Sequence, residues 1–364
     1  MRKVLLALSL AVIALSSCCQ VAKENNKSEE VRNVIYLIGD GMGLAQASMA
    51  MVESGYDSIS FDRAENIALI KTYSSNNRVT DSAAAGTALA CGEKTNNGML
   101  GLTADMDTCI SMSAKASAKG KATGLVVSCT VQHATPAAFY AHVESRNSYE
   151  LIAEQLVNST IDLAIGGGES YFNKEVDGVK LIDIAQAKGF NIARNFDELE
   201  AVEDGRILAL FEQGHIKSMA DGRGDFLPKA TVAALEILSK NENGFLLMVE
   251  GSQIDWVCHG NDAEGTLAEV MDFNDCVNIA MDFADNNPGT LVVVTADHET
   301  GGLSLVSGDA DFSKADSGVN YKYATTGHSG ILVPVYLYGA GADQINGIME
   351  NTQLAKEIEK ILGL

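Results

Sequence analysis

Short uninterrupted apolar runs alternate along this chain with stretches whose apolar positions recur at helical spacing. The runs from Asn33 to Gly39, Ala122 to Ser128, Ile161 to Ile165, Gly244 to Val249, Thr290 to Ala296 and Val333 to Gly339 read as strands buried on both faces. Helical spacing follows Leu44 and Tyr149 and covers Lys180 to Lys188, Lys229 to Leu238 and Gly265 to Ala284. Such alternation predicts an α/β fold with a mainly parallel central sheet sandwiched by helices. No internal repeat or linker interrupts it, so the pattern predicts a single domain over 31–364. The triplet Gly166-Gly167-Gly168 reads as a turn.

Chemistry-bearing residues stand at the ends of the apolar runs. Asp40, Glu250 and the pair Asp297-His298 each follow such a run directly. Ligands of doubly wound sheets bind at the carboxyl ends of the strands, so distant parts of the chain converge on one acidic site.

The first residues change the picture of where the protein works. A basic start at Arg2 and Lys3, an apolar stretch from Val4 to Leu15 and Ser16-Ser17-Cys18 predict a lipoprotein-type signal peptide over 1–17. Cys18 is then the lipidated first residue and 18–30 a flexible polar tether. The expected location is the periplasm or outer membrane, with membrane contact through the lipid anchor alone. A formal net charge of −22 argues against nucleic acid as a partner. Cys91, Cys109, Cys129, Cys258 and Cys276 show no zinc-knuckle spacing and read as buried thiols with at most one or two bridges.

Several pairs have ligand geometry. Asp255 and His259 share one helical face at i, i+4, and Asp297 and His298 are adjacent just past a strand end. His328 lies in the glycine-flanked loop Thr326-Gly-His-Ser-Gly330. Taken singly, a capping Asp or a hydrogen-bonded His is the commoner outcome for each pair; the combination points to metal. Thr80-Asp-Ser-Ala-Ala-Ala85 puts Ser82 where a loop becomes an alanine-rich helix, in the positive end of its dipole. No local general base serves Ser82, so a nucleophilic role there requires a metal.

With Gly39-Asp-Gly-Met-Gly43, Thr80-Asp-Ser-Ala83, Gly92-Glu-Lys-Thr-Asn-Asn-Gly98, His133-Ala-Thr-Pro-Ala137, Glu250-Gly-Ser-Gln-Ile-Asp255, Thr295-Ala-Asp-His-Glu-Thr-Gly-Gly302 and Gly327-His-Ser-Gly330 in order, the chain resembles the alkaline phosphatases. The resemblance implies an exported phosphomonoesterase that acts on small phosphate monoesters through a phosphoserine at Ser82. It implies two Zn2+ ions, one held by Asp255, His259 and His328 and the other by Asp40, Asp297 and His298 with Ser82. It further implies one Mg2+ ion on Asp40, Thr135 and Glu250, and Arg146 as the clamp on the phosphate. His133 stands where some members have an aspartate near the magnesium; it contacts that ion through water or binds a softer metal in its place. Trp256 occupies a position where relatives carry Lys or His, either as pocket wall or as a substrate contact.

The resemblance also leaves a phosphodiesterase or another hydrolase of the same superfamily as the alternative, and a non-catalytic metal- or phosphate-binding lipoprotein beyond that. The stretch between His298 and His328 is too short for the surface domain of larger members. Either a monomer or a homodimer is compatible with it.

Overall fold

The computed structural model describes residues 30–309 and 318–364. The expected signal peptide, Cys18 and all but the last residue of the tether therefore lie outside the described residues. A ten-stranded sheet forms the body of the protein. Its strands in chain order are β1 (Asn33–Gly39), β2 (Asn66–Lys71), β3 (Ala122–Thr130), β4 (Leu163–Gly167) and β5 (Phe190–Ala193). They continue with β6 (Arg206–Leu210), β7 (Phe245–Gly251), β8 (Thr290–Thr295), β9 (Val333–Gly339) and β10 (Gly347–Glu350). Across the sheet the order is β10-β2-β9-β8-β1-β7-β3-β4-β6-β5. Pairing is parallel except at β9, which runs antiparallel to both β8 and β2.

β1 is central. Leu37 pairs with Val294 of β8 on one side and with Val249 of β7 on the other, which brings the carboxyl ends of these strands to one level. Every residue of β7 and β8 is buried, as the runs of branched apolar residues require when helices cover both sides. One helix layer contains Leu44–Glu53, Phe226–Leu238 and Ala263–Asn286; another contains Ser82–Cys91, Met112–Ala118, Ala134–Ala137 and Asn351–Leu362. The α/β fold expected from the sequence is the fold observed.

Boundaries moved for identifiable reasons. The helix expected from Lys229 begins at Phe226, because Pro228 fits the first turn, where its missing N–H has no partner to lose. β2, β5, β6 and β10 and the Asn351–Leu362 helix were not anticipated. All five cysteines outside the N-terminal segment are free and buried. Among the described residues, no helix is long and apolar enough to cross a membrane.

Candidate active site

Asp40 follows β1 at a turn that depends on Gly41. That residue has φ +73°, and a Cβ on it would lie 2.8 Å from Thr300 Oγ1 and 3.0 Å from Asp255 Cα. The absent side chain lets the β1 loop lie against the segment after β7 and the segment after β8. Its N–H donates to Asp297 Oδ1 at 3.1 Å, tying the ends of β1 and β8 together.

Two groups of side chains assemble there. In the first, Asp255 and His259 come from the short helix Ile254–His259, and His328 from a two-residue strand paired with Glu299–Thr300. His259 Nε2 lies 3.2 Å from Asp255 Oδ2, and His328 Nε2 lies 3.5 Å from Asp255 Oδ1. The other ring nitrogens face backbone carbonyls: His259 Nδ1 meets Thr326 O at 2.5 Å, and His328 Nδ1 meets Thr80 O at 2.8 Å. A carbonyl only accepts, so each Nδ1 carries a proton and, in the neutral ring, each Nε2 offers a lone pair toward Asp255. Histidines that bind metals show this outer contact. Hydrogen bonding to Asp255 pushes His259 up to about 9.

In the second group, Asp40, Asp297 and His298 are fully buried. His298 Nε2 lies 3.3 Å from Asp297 Oδ2, 3.5 Å from Asp40 Oδ1 and 3.3 Å from Ser82 Oγ. Thr300 sets its tautomer. Its hydroxyl donates to Asp255 Oδ1, so its oxygen accepts from His298 Nδ1 at 3.2 Å. The His298 lone pair is thereby directed at the carboxylates, and burial pushes its pKa down to about 3. Thr300 connects the two groups, a role that its place in the Thr295-Ala-Asp-His-Glu-Thr-Gly-Gly302 segment does not reveal by itself.

These residues fit cations. Both oxygens of Asp40, Asp297 Oδ2, Glu250 Oε1 and Thr135 Oγ1 are buried without a hydrogen-bond partner. Burial pushes Asp297 up to about 6 and Glu250 up to about 7, which marks carboxylates that lack enough positive charge nearby. Carboxylate oxygens and neutral imidazole nitrogens form a donor set suited to zinc.

Ser82 is the first residue of the Ser82–Cys91 helix, and only 2% of its surface is exposed. Asp81 caps that helix by accepting from Ala84 N at 3.0 Å through Oδ1. Its Oδ2 holds Arg146 Nη1 at 3.1 Å. One carboxylate therefore orients both the helix that carries Ser82 and the guanidinium beside it. Arg146 Nη2 lies 3.5 Å from His133 Nε2.

A third grouping lies around Glu250. Thr135 is on the Ala134–Ala137 helix, and Glu250 is the penultimate residue of β7. The ligand atoms of Glu250 group with those of His133 and Cys129, all within 4.8 Å of one another. Cys129 is one of the buried free thiols. Trp256 lies edge-on to His133, with ring centroids 5.7 Å apart, and to His215 at 4.7 Å. His215, to which the sequence reading gave no part, accepts from Thr130 N through Nδ1 at 3.2 Å. A buried ion pair of Arg223 with Glu269 and Asp272 pins the segment that follows it.

The sequence profile of the alkaline phosphatase family matches residues 31–318. The chain belongs to the alkaline phosphatase family. It is 33% identical to alkaline phosphatase 4 of Bacillus subtilis, over 94% of this chain and 90% of that protein. It is 31% identical to the streptomycin-6-phosphate phosphatase of Streptomyces griseus, over 100% of this chain and 97% of that one. Among solved structures, the alkaline phosphatase of the Antarctic bacterium TAB5 superimposes with a TM-score of 0.87 at 36% identity, covering 92% of this chain and 99% of its own. Phosphomonoester hydrolysis is the chemistry of this alkaline phosphatase.

Proposed function

We propose that hydrolysis runs through a phosphoserine at Ser82, with Asp255, His259 and His328 holding one zinc ion and Asp40, Asp297 and His298 a second. The observation that carries this reading is the approach of Ser82 Oγ to 3.3 Å from His298 Nε2, beside two buried carboxylates with unpartnered oxygens. The zinc ions, when bound, supply the charge that lowers the pKa of the serine and polarises the phosphoryl group.

The chain's own residues do the remainder. Ser82 gives up its hydroxyl proton to solvent as Oγ attacks phosphorus in line, and the alcohol leaves with a proton from solvent. The helix N-terminus and the Arg146 fork face the phosphoryl oxygens as their charge is redistributed. Water then attacks the phosphoserine from the opposite side, inorganic phosphate departs and the serine hydroxyl is restored. Asp81 keeps nucleophile and clamp in register throughout.

A third cation belongs with Glu250, Thr135, Asp40 and His133. Structures of the TAB5 enzyme with a histidine changed to aspartate or to glutamate have magnesium bound in the M3 site, which supports a site of this kind here. The Streptomyces relative is named as a phosphatase of streptomycin-6-phosphate, which supports a phosphate monoester as the substrate class here. The N-terminal sequence supports export with a lipid anchor at Cys18.

The test is phosphate release from p-nitrophenyl phosphate beside its bis-ester, with and without zinc chelation. Chelator-sensitive cleavage of the monoester is the expected result. Preference for the bis-ester would favour the diesterase alternative, and inactivity with zinc bound would favour a binding protein.

A further inference from the structure

The resemblance gives the third ion the oxygen donors Asp40, Thr135 and Glu250, on which magnesium is the natural choice, and leaves His133 to act through water or to bind a softer metal in its place. The structure surrounds the same place with a thiol and an imidazole. Cys129 Sγ lies 3.5 Å from Glu250 Oε2, and His133 completes the grouping. Cys129 and Glu250 have no exposed surface, and His133 has 7%.

Unpartnered atoms show that the cluster is not closed upon itself. Ser252 Oγ donates to Glu250 Oε2 at 2.7 Å, which fixes the carboxylate and leaves Oε1 without a partner. His133 Nδ1 and Thr135 Oγ1 are likewise buried and unpartnered. With Cys129 Sγ, these atoms place sulfur, nitrogen and oxygen donors at one buried point.

The backbone explains how a strand cysteine comes to face this point. β3 pairs with β4 in regular register through Val126–Ile165, but the next pair is Thr130–Gly167, so β3 carries extra residues between them. Irregularities of this kind bend a strand and re-aim its side chains, and they recur beside active sites. Val127 is level with Glu250 across the β3–β7 ladder, and Cys129 lies two residues farther toward the site.

We propose that Cys129 is a ligand of the third ion and that this ion is zinc rather than magnesium. Thiolate and imidazole donors select zinc over magnesium, which holds to oxygen and water. Binding would exchange the Sγ–H bond for an Sγ–metal bond and release the proton to water. The inference rests on the phosphatase reading of the neighbouring zinc clusters, and the test keeps the two apart.

The holoprotein is dialysed against zinc with a large excess of magnesium, and metals are counted per chain. The expected content is about three zinc ions for the natural protein and about two, with magnesium gained, for Cys129→Ser. Cys276→Ala, a buried thiol outside the site, keeps about three. About two zinc ions and one magnesium in the natural protein, unchanged by Cys129→Ser, would overturn the proposal while leaving the phosphatase reading intact. Fewer than about two zinc ions would overturn both. A second measurement needs no variant. With cobalt in place of zinc, the natural protein shows the near-ultraviolet thiolate-to-cobalt charge-transfer band, and absence of that band with all sites filled would overturn the assignment.

Discussion

Ser82 Oγ lies 3.3 Å from His298 Nε2, closer than the ring nitrogen is to Asp40 Oδ1 at 3.5 Å. The Ser82 hydroxyl can donate to that lone pair, but the oxygens of Asp40 and Asp297 that face the same buried nitrogen repel it and one another unless a cation lies between them. The fold supplies that arrangement by ending β1 and β8 side by side and by starting the Ser82–Cys91 helix against them.

Ser82→Ala removes the nucleophile and leaves every other zinc donor in place. Turnover of p-nitrophenyl phosphate is expected to fall by roughly a thousandfold or more, with zinc content retained. Metal analysis alongside steady-state kinetics checks both parts. Loss of zinc with loss of activity would mean that Ser82 holds the metal site together instead.

Thr300→Val keeps the volume and removes the hydroxyl that donates to Asp255 and accepts from His298. Outer contacts of this kind commonly govern metal affinity by 10–100-fold, so zinc is expected to weaken by roughly tenfold or more. Titration against a competing chelator measures it. An unchanged affinity would show that the neighbouring groups orient themselves without Thr300.

Arg146→Ala should weaken phosphate more than it slows the chemical step. Loss of charge-assisted hydrogen bonds costs about 1.5–3 kcal/mol, equivalent to roughly 10–100-fold in the inhibition constant of inorganic phosphate. Competitive inhibition by phosphate reads this directly. An effect confined to kcat would place Arg146 in the chemical step alone.

Metal removal should invert the pH dependence of stability. In the metal-free protein, burial holds Asp297 near 6 and Glu250 near 7. Raised carboxylates keep protons in the folded state that the unfolded chain releases above about pH 4, so stability falls as pH rises from there through 7. With ions bound, the ligands must be deprotonated and stability should rise over the same range. Thermal unfolding between pH 5 and 8, with and without chelator, is expected to give opposite slopes.

What was legible in the sequence follows from which signals are local. β1, β7 and β8 are apolar throughout because helices cover both of their faces, and the residues after them could be placed at one sheet edge. β5 and β6 were missed because Phe190–Ala193 and Arg206–Leu210 are short and bordered by polar segments, so their pairing comes from tertiary contact. The Asn351–Leu362 helix was within reach, since Leu354, Ala355, Ile358 and Leu362 recur at helical spacing on its buried face. Cys129 was beyond reach. Its direction depends on the irregular β3–β4 pairing, and nothing in the residues around it encodes that shift. His215 was hidden for a similar reason, as its partner Thr130 is 85 residues away.

The most direct measurement is to incubate the zinc-loaded protein with inorganic phosphate at acidic pH, quench it, and locate any covalent phosphate by peptide mass spectrometry. A single phosphoryl group on Ser82, absent after chelation and absent from Ser82→Ala, is the predicted result. Phosphate on another residue, or undiminished hydrolysis by Ser82→Ala, would contradict it.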